Sequence, residues 1–174
     1  VPDSLYSISK ARTQLLLKFP FFGSLALYLQ PKNDPSTPTM RTEGFTLHYN
    51  DEFVQNLVNT GGINLLMSVL IHEVMHAALQ HIWRRGKRDP KIWDMACDYV
   101  VNQIVKEQGL KLPSDVLLSD RFQDMTADAV YSILRQELPP NSGGAGSISM
   151  SEESSSGKPQ QNNQPGGKIL DDHS

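Results

Sequence analysis

Apolar residues recur along this chain in two rhythms, and the rhythms predict its elements. From residue 5 to residue 18, Leu5, Ile8, Ala11 and the Leu15-Leu16 pair return at the spacing of one face of an α-helix, which Pro20 ends. Gly23-Ser-Leu-Ala-Leu-Tyr-Leu-Gln30 reads as a buried strand, and Pro31 to Pro38 as a polar loop rich in breakers. After the turn signal Glu43-Gly44 the rhythm becomes alternation. Phe45, Leu47 and Tyr49 fall on one face of a half-buried strand, and Thr46, His48 and Asn50 on the other, His48 being solvated there. Asn50 or Asp51 then caps a short helix over about 51–59 that leads into Thr60-Gly-Gly62.

The longest hydrophobic stretch, Ile63 to Trp83, is apolar almost all round and predicts a core helix reaching about Arg84. Its polar interruptions are informative. His72 and His76 stand four apart and share a helix face, with Glu73 following the first. Two imidazoles and a carboxylate on an otherwise apolar helix are costly without a partner. This HExxH spacing lets two neutral imidazoles converge on one tetrahedral ion and leaves a coordination position open. It also places Glu73 to act as general base towards a water at that position. Arg84, Arg85, Lys87 and Arg88 read as a solvated loop favoured by the helix dipole, in preference to a substrate-binding patch.

Asp89-Pro90 is a strong helix start, and the next helix runs to about Lys106. On it Asp94, Asp98 and Asn102 form one polar stripe flanked by apolar residues, which predicts an inward, metal-directed face. Gly109 and Pro113 close the helix, residues 114–123 look irregular, and Thr126 caps a last helix over Ala127 to about Glu137 that buries Ala129, Val130 and Ile133. Beyond Pro139 the Gly, Ser, Gln and Asn-rich sequence can bury almost nothing. The expected organisation is therefore a domain over 1–138 and a low-complexity tail or linker over 139–174.

Composition narrows the function classes. A net charge of −3 gives no electrostatic footprint for nucleic acid or an anionic membrane surface. No apolar run looks long enough to span a bilayer, and the first residues lack the layout of a secretion signal. The single cysteine, Cys97, leans towards a reducing compartment.

A catalytic zinc site usually has three protein ligands and a water, and four residues are candidates for the third. His81 would face away from His72 on a continuous helix, and no glycine is there to break it. Cys97 is more readily a core residue. Asp94 and Asp98 lie on a helix expected to return antiparallel to the first. Asp98, one turn deeper, is preferred as ligand, with Asp94 and Asn102 as partners of the histidine N–H groups. A deformylase would carry its cysteine ligand upstream of HExxH, whereas Cys97 lies downstream.

The runs His72-Glu-Val-Met-His-Ala-Ala-Leu-Gln-His81, Arg84-Arg-Gly-Lys-Arg-Asp-Pro90 and Trp93-Asp-Met-Ala-Cys-Asp-Tyr-Val-Val-Asn102 together resemble a metallopeptidase-domain family of bacteria and phages. In that family the domain is often followed by a von Willebrand A-like domain and sometimes encoded beside an AAA ATPase. The resemblance extends upstream through Pro20-Phe-Phe-Gly-Ser-Leu-Ala-Leu and Glu43-Gly44 to Tyr49-Asn-Asp-Glu-Phe53, and downstream to Leu112-Pro113 and Ala127 to Tyr131. It implies Asp98 as an acidic third ligand and marks His81 as a family position. Glu43 departs from it, standing where a Thr-Asp-Gly turn is expected.

The fold expected is α+β and zincin-like: four or five helices around the HExxH helix, with a small sheet packed over it. By analogy, the strand over residues 45–50 would pair with extended substrate. The function expected is a zinc endopeptidase with one Zn2+ per chain, held by His72, His76 and Asp98, with Glu73 as general base. Tyr49, Tyr99 and His81 are candidates to stabilise the oxyanion. The substrate would be a peptide or protein, and the location the cytoplasm of a bacterial or phage-infected cell, or a virion. The alternative is a catalytically silent, metal-stabilised structural or interaction module, which His173 or Asp172 could produce by folding back onto the metal.

Overall fold

Local capping chemistry sets the element boundaries. In the computed structural model, which describes residues 3–114 and 116–138, the Asp3 carboxylate accepts from the Leu5 amide and starts α1 (Ser4–Lys18). Pro20 then opens α2 (Pro20–Tyr28) at its first turn. There follow β1 (Gln30–Asn33), β2 (Met40–Glu43), β3 (Thr46–Tyr49), α3 (Asp51–Ala78), α4 (His81–Arg84), α5 (Pro90–Glu107), a 3-10 turn (Asp120–Phe122) and α6 (Ala127–Glu137). The architecture is α+β, mainly helical with one small sheet. The expected tail, with His173 and Asp172, lies outside the described residues.

Residues 20–28 are helical, not the strand expected. Phe22, Gly23 and Ala26 are buried at helical spacing, and α2 folds back on α1 through a tight elbow at Phe19. Gly23 makes that approach possible, because a Cβ there would lie 2.3 Å from the Leu16 backbone. The expected loop at 31–38 instead begins inside β1, where Pro31 sits on an outer strand that can spare its missing N–H.

The sheet order is β1-β3-β2, with β1 parallel and β2 antiparallel to β3. β3 is thus paired on both sides and cannot offer an edge to a substrate; the strand packed against α3 is β2. The alternation expected over residues 45–50 also fails at two positions. Phe45, at the hairpin tip, is 75% exposed, while His48 is buried against Asp34 at 3.1 Å. Leu47 and Tyr49 enter the core as expected.

α3 is the interior helix, touched by α1, α2, β2, α4 and α5. Asn50 caps it by accepting from Phe53 N–H. Gly62, at φ 68 and ψ −166, breaks it into the short and long helices read from the sequence, in a backbone region open essentially to glycine alone. Every residue from Leu65 to His76 is buried. Contrary to expectation, α3 is long and apolar enough by composition to cross a membrane. The break leaves residues 63–78 as about 24 Å of regular helix, shorter than a bilayer's apolar core, and packing on all sides accounts for its apolarity.

α5 runs antiparallel to α3, because moving four residues on along α3 from His72 to His76 moves the partner four residues back along α5, from Asn102 to Asp98. Its other face packs Ile92, Ala96 and Tyr99 against Leu117, Phe122 and, on α6, Val130 and Leu134. On α6 the fully buried residues are Ala127, Val130 and Leu134; the expected Ala129 and Ile133 are only partly covered. Arg84 and Arg88 are not simply solvated, since both bind Asp128, and Arg88 also lies over the Trp93 ring at 4.7 Å. They tie the segment after α3 to α6.

Candidate metal centre

Three elements supply the central groups, and α4 adds His81 beside them. The long half of α3 supplies His72, Glu73 and His76, the facing stripe of α5 supplies Asp94, Asp98 and Asn102, and β2 supplies Thr42. His72, Glu73, His76 and Asn102 are 0% exposed, Asp98 1%, Thr42 2% and Asp94 5%. The inward orientation expected for the α5 stripe is what the structure shows.

Ligand-type atoms of His72, His76 and Asp98 all lie within 4.8 Å of one another. The two Nε2 atoms are 3.0 Å apart, and Asp98 Oδ1 lies 3.6 Å from His72 Nε2 and 3.2 Å from His76 Nε2. Donors about 2.0–2.1 Å from a tetrahedral ion are separated by about 3.3 Å. The three edges bracket that value, so the spacing of this donor set fits a tetrahedral divalent cation.

The outer contacts set the tautomers. Asn102 Nδ2 donates to the Leu117 carbonyl at 3.0 Å, which turns Asn102 Oδ1 towards His72 Nδ1, also at 3.0 Å. His72 Nδ1 therefore carries the proton, and its Nε2 presents a lone pair to the centre. His76 Nδ1 meets His81 Nδ1 at 3.2 Å. A continuous helix would turn His81 away from the centre. The structure brings it in because α3 stops at Ala78 and Gln80 adopts the left-handed conformation at φ 55, restarting the chain as α4 in a new direction. His81 is 2% exposed, and its carbonyl accepts from Trp93 Nε1 at 2.8 Å.

The Thr42 hydroxyl reaches Glu73 Oε2 and the Glu73 carbonyl, each at 3.4 Å. Sequence reasoning missed Thr42; the Glu43-Gly44 turn signal beside it marked the hairpin but gave no reason to single out its hydroxyl. The other candidates separate. Tyr99 packs edge-on against Phe122 at 4.7 Å in the cluster between α5 and α6, and Tyr49 lies in the core cluster shared by the sheet and α1–α3. Burial raises the pKa of both phenols. Cys97 is buried beside Trp93 and Ala127, and burial, then the Asp94 and Asp98 carboxylates, push its thiol far above the ordinary range. That is the setting of an inert core thiol.

A family model described as "Putative metallopeptidase domain" matches residues 4–169. A Thermotoga maritima protein described as "Uncharacterized protein" is 30% identical over 122 residues, which cover 66% of this chain and 30% of that relative's length. The chain therefore spans less than a third of the relative. No solved structure matches the chain.

Proposed function

Since the chain belongs to this metallopeptidase-domain family, we propose that it is a zinc-dependent endopeptidase of zincin-like architecture. The observation that carries the reading is the convergence of His72 Nε2, His76 Nε2 and Asp98 Oδ1 at tetrahedral spacing beside Glu73. These three residues would hold one Zn2+, which when bound supplies a lowered pKa for water and polarisation of the scissile carbonyl. Glu73 takes the proton from the attacking water and passes it to the leaving nitrogen. Thr42 orients the Glu73 carboxylate from β2. Asn102 fixes His72 in the tautomer that frees Nε2, and His81 does the same for His76 by accepting from Nδ1. Asp94 extends the same buried stripe and belongs to this supporting layer.

One observation favours the second reading, a metal-stabilised module without turnover. The ligands and Glu73 are wholly covered, and the crevice reaching His76, lined by Thr42, Gly44, Ala77, Ile82 and Trp83, holds only about 10 Å³. That is room for one water at most, so a peptide enters only if the β2–β3 tip and α4 move apart.

Metal analysis by mass spectrometry on protein purified without added metal tests the site. We expect about one zinc per chain, lost in both His76→Ala and Asp98→Ala. Retention in Asp98→Ala would remove Asp98 from the ligand set. Glu73→Gln is expected to keep the metal and lose at least a hundredfold in peptide hydrolysis. A zinc-loaded wild type that cuts no peptide would leave the module reading.

A further inference from the structure

Beside the metal centre lies a second, larger cavity that the reaction as described does not use. It holds about 450 Å³, within the range of small-ligand sites. Four elements enclose it: Leu25 at the end of α2, Phe45 at the hairpin tip, Val74 and Ala77 on α3, and Trp83 on α4. Among the described residues no charged side chain lines it.

We propose that this cavity is the subsite for a large apolar side chain, leucine or an aromatic residue, of the peptide substrate, next to the bond that is cut. The proposal rests on the peptidase reading and names its substrate class. Continuity with the reacting groups carries it. Val74 and Ala77 directly follow Glu73 and His76 in the chain. The crevice that reaches His76 and Thr42 shares Gly44, Ala77 and Trp83 with the cavity. Only two small residues and one indole therefore separate the two spaces. Trp83 and Phe45, residues 67% and 75% exposed, stand at the cavity with large apolar surfaces left to water, which an entering side chain would cover. A charged side chain would lose its hydration there without gaining a partner. Once the β2–β3 tip and α4 have parted, a substrate whose side chain occupies this cavity runs its backbone past Gly44, towards His76 and Glu73.

The test uses zinc-loaded protein and a mixed peptide library, with cleavage sites read by mass spectrometry. We expect leucine, methionine or aromatic residues at one position flanking the cut, favoured about tenfold or more over aspartate and lysine. Ala78→Trp, which narrows the cavity from its exposed rim, is expected to lower kcat/KM for a leucine-bearing peptide about tenfold more than for its alanine-bearing counterpart, with zinc content unchanged. Phe45→Ala, a truncation at an exposed tip, is expected to weaken the same preference. Independently of turnover, N-acetyl-leucine amide is expected to shift the indole fluorescence of Glu73→Gln protein, whereas N-acetyl-aspartate amide does not, and the shift should vanish with Trp83→Phe.

Cleavage without an apolar preference, or with one that neither cavity variant alters, overturns the subsite and leaves the peptidase reading standing. No cleavage at all overturns the peptidase reading and the subsite with it, even if the leucine amide binds. Sedimentation showing a dimer that Trp83→Ala dissociates would assign the cavity to a second copy of the chain and also overturn the proposal.

Discussion

At the scale of single residues, the centre depends on groups that would never touch the reacting bond. His72 can present Nε2 only because Asn102 Oδ1 accepts from Nδ1, and Asn102 is itself oriented by the Leu117 carbonyl. Outer partners of this kind typically matter 10–100-fold in metal affinity. Asn102→Ala and His81→Ala are therefore each expected to weaken zinc binding by about that factor while keeping the fold, read by competition against a chelator of known affinity. Unchanged affinity in either variant would remove that residue from the supporting layer. Away from the metal, the Ser36 hydroxyl and amide and His48 hold the Asp34 carboxyl below its usual pKa. A depressed pKa means that the folded state binds this proton less readily than the unfolded one. Its contribution is present above the ordinary aspartate pKa, about 3.9, and lost as pH falls through the folded value. Asp34→Asn should lower Tm at pH 6, and the gap to wild type should close as pH falls through the depressed folded-state pKa. A gap that persists in acid would show that Asp34 acts by shape and not by charge.

At the scale of elements, the sequence shows clearly what is periodic or capped. Asp89-Pro90, Thr126 and Asn50 mark helix starts that form as read, and the Asp94, Asp98 and Asn102 stripe faces inward as its apolar flanks require. Residues 23–30 mislead because a short apolar run fits a strand or a helix equally well. What decides is a tertiary fact, the packing of Gly23 against the α1 backbone, which local periodicity does not contain. The break after α3 is hidden for a related reason. Gln80 takes a left-handed conformation that local sequence preference does not favour, so His81 could be placed beside His76 only by the three-dimensional structure. The two glycine positions give a direct check. Gly23→Ala presses a methyl into backbone that cannot yield as a side chain would, and is expected to cost about 1–3 kcal/mol. Gly62→Ala meets no neighbour within 4 Å but must hold a backbone conformation that alanine strongly resists, at a similar cost of about 1–3 kcal/mol. Urea unfolding midpoints measure both. A neutral Gly62→Ala would mean that the junction in α3 relaxes to ordinary helix.

For the whole molecule, the position of the centre couples metal to stability. The prospective ligands come from α3 and α5, the two helices whose packing joins the α1–α3 core to the α5–α6 layer. The three-atom site therefore exists only when these helices are docked, and the unfolded chain keeps no more than the His72 and His76 pair. A cation that binds the folded state in this way stabilises it by about 2.7 kcal/mol at a free concentration of 100 Kd, which for a chain of this size raises Tm by roughly 5–10 °C. Removing the ion removes that contribution. Chelation should therefore lower Tm in wild type. Asp98→Asn should lose most of the metal-dependent shift, because it removes a ligand while keeping the shape of the side chain. Differential scanning calorimetry of the two proteins, with zinc and with chelator, gives all four values. If metal-free Asp98→Asn were much less stable than metal-free wild type, Asp98 would be a structural acceptor in its own right. The tetrahedral spacing of the three donors would then be a product of packing, not of metal binding.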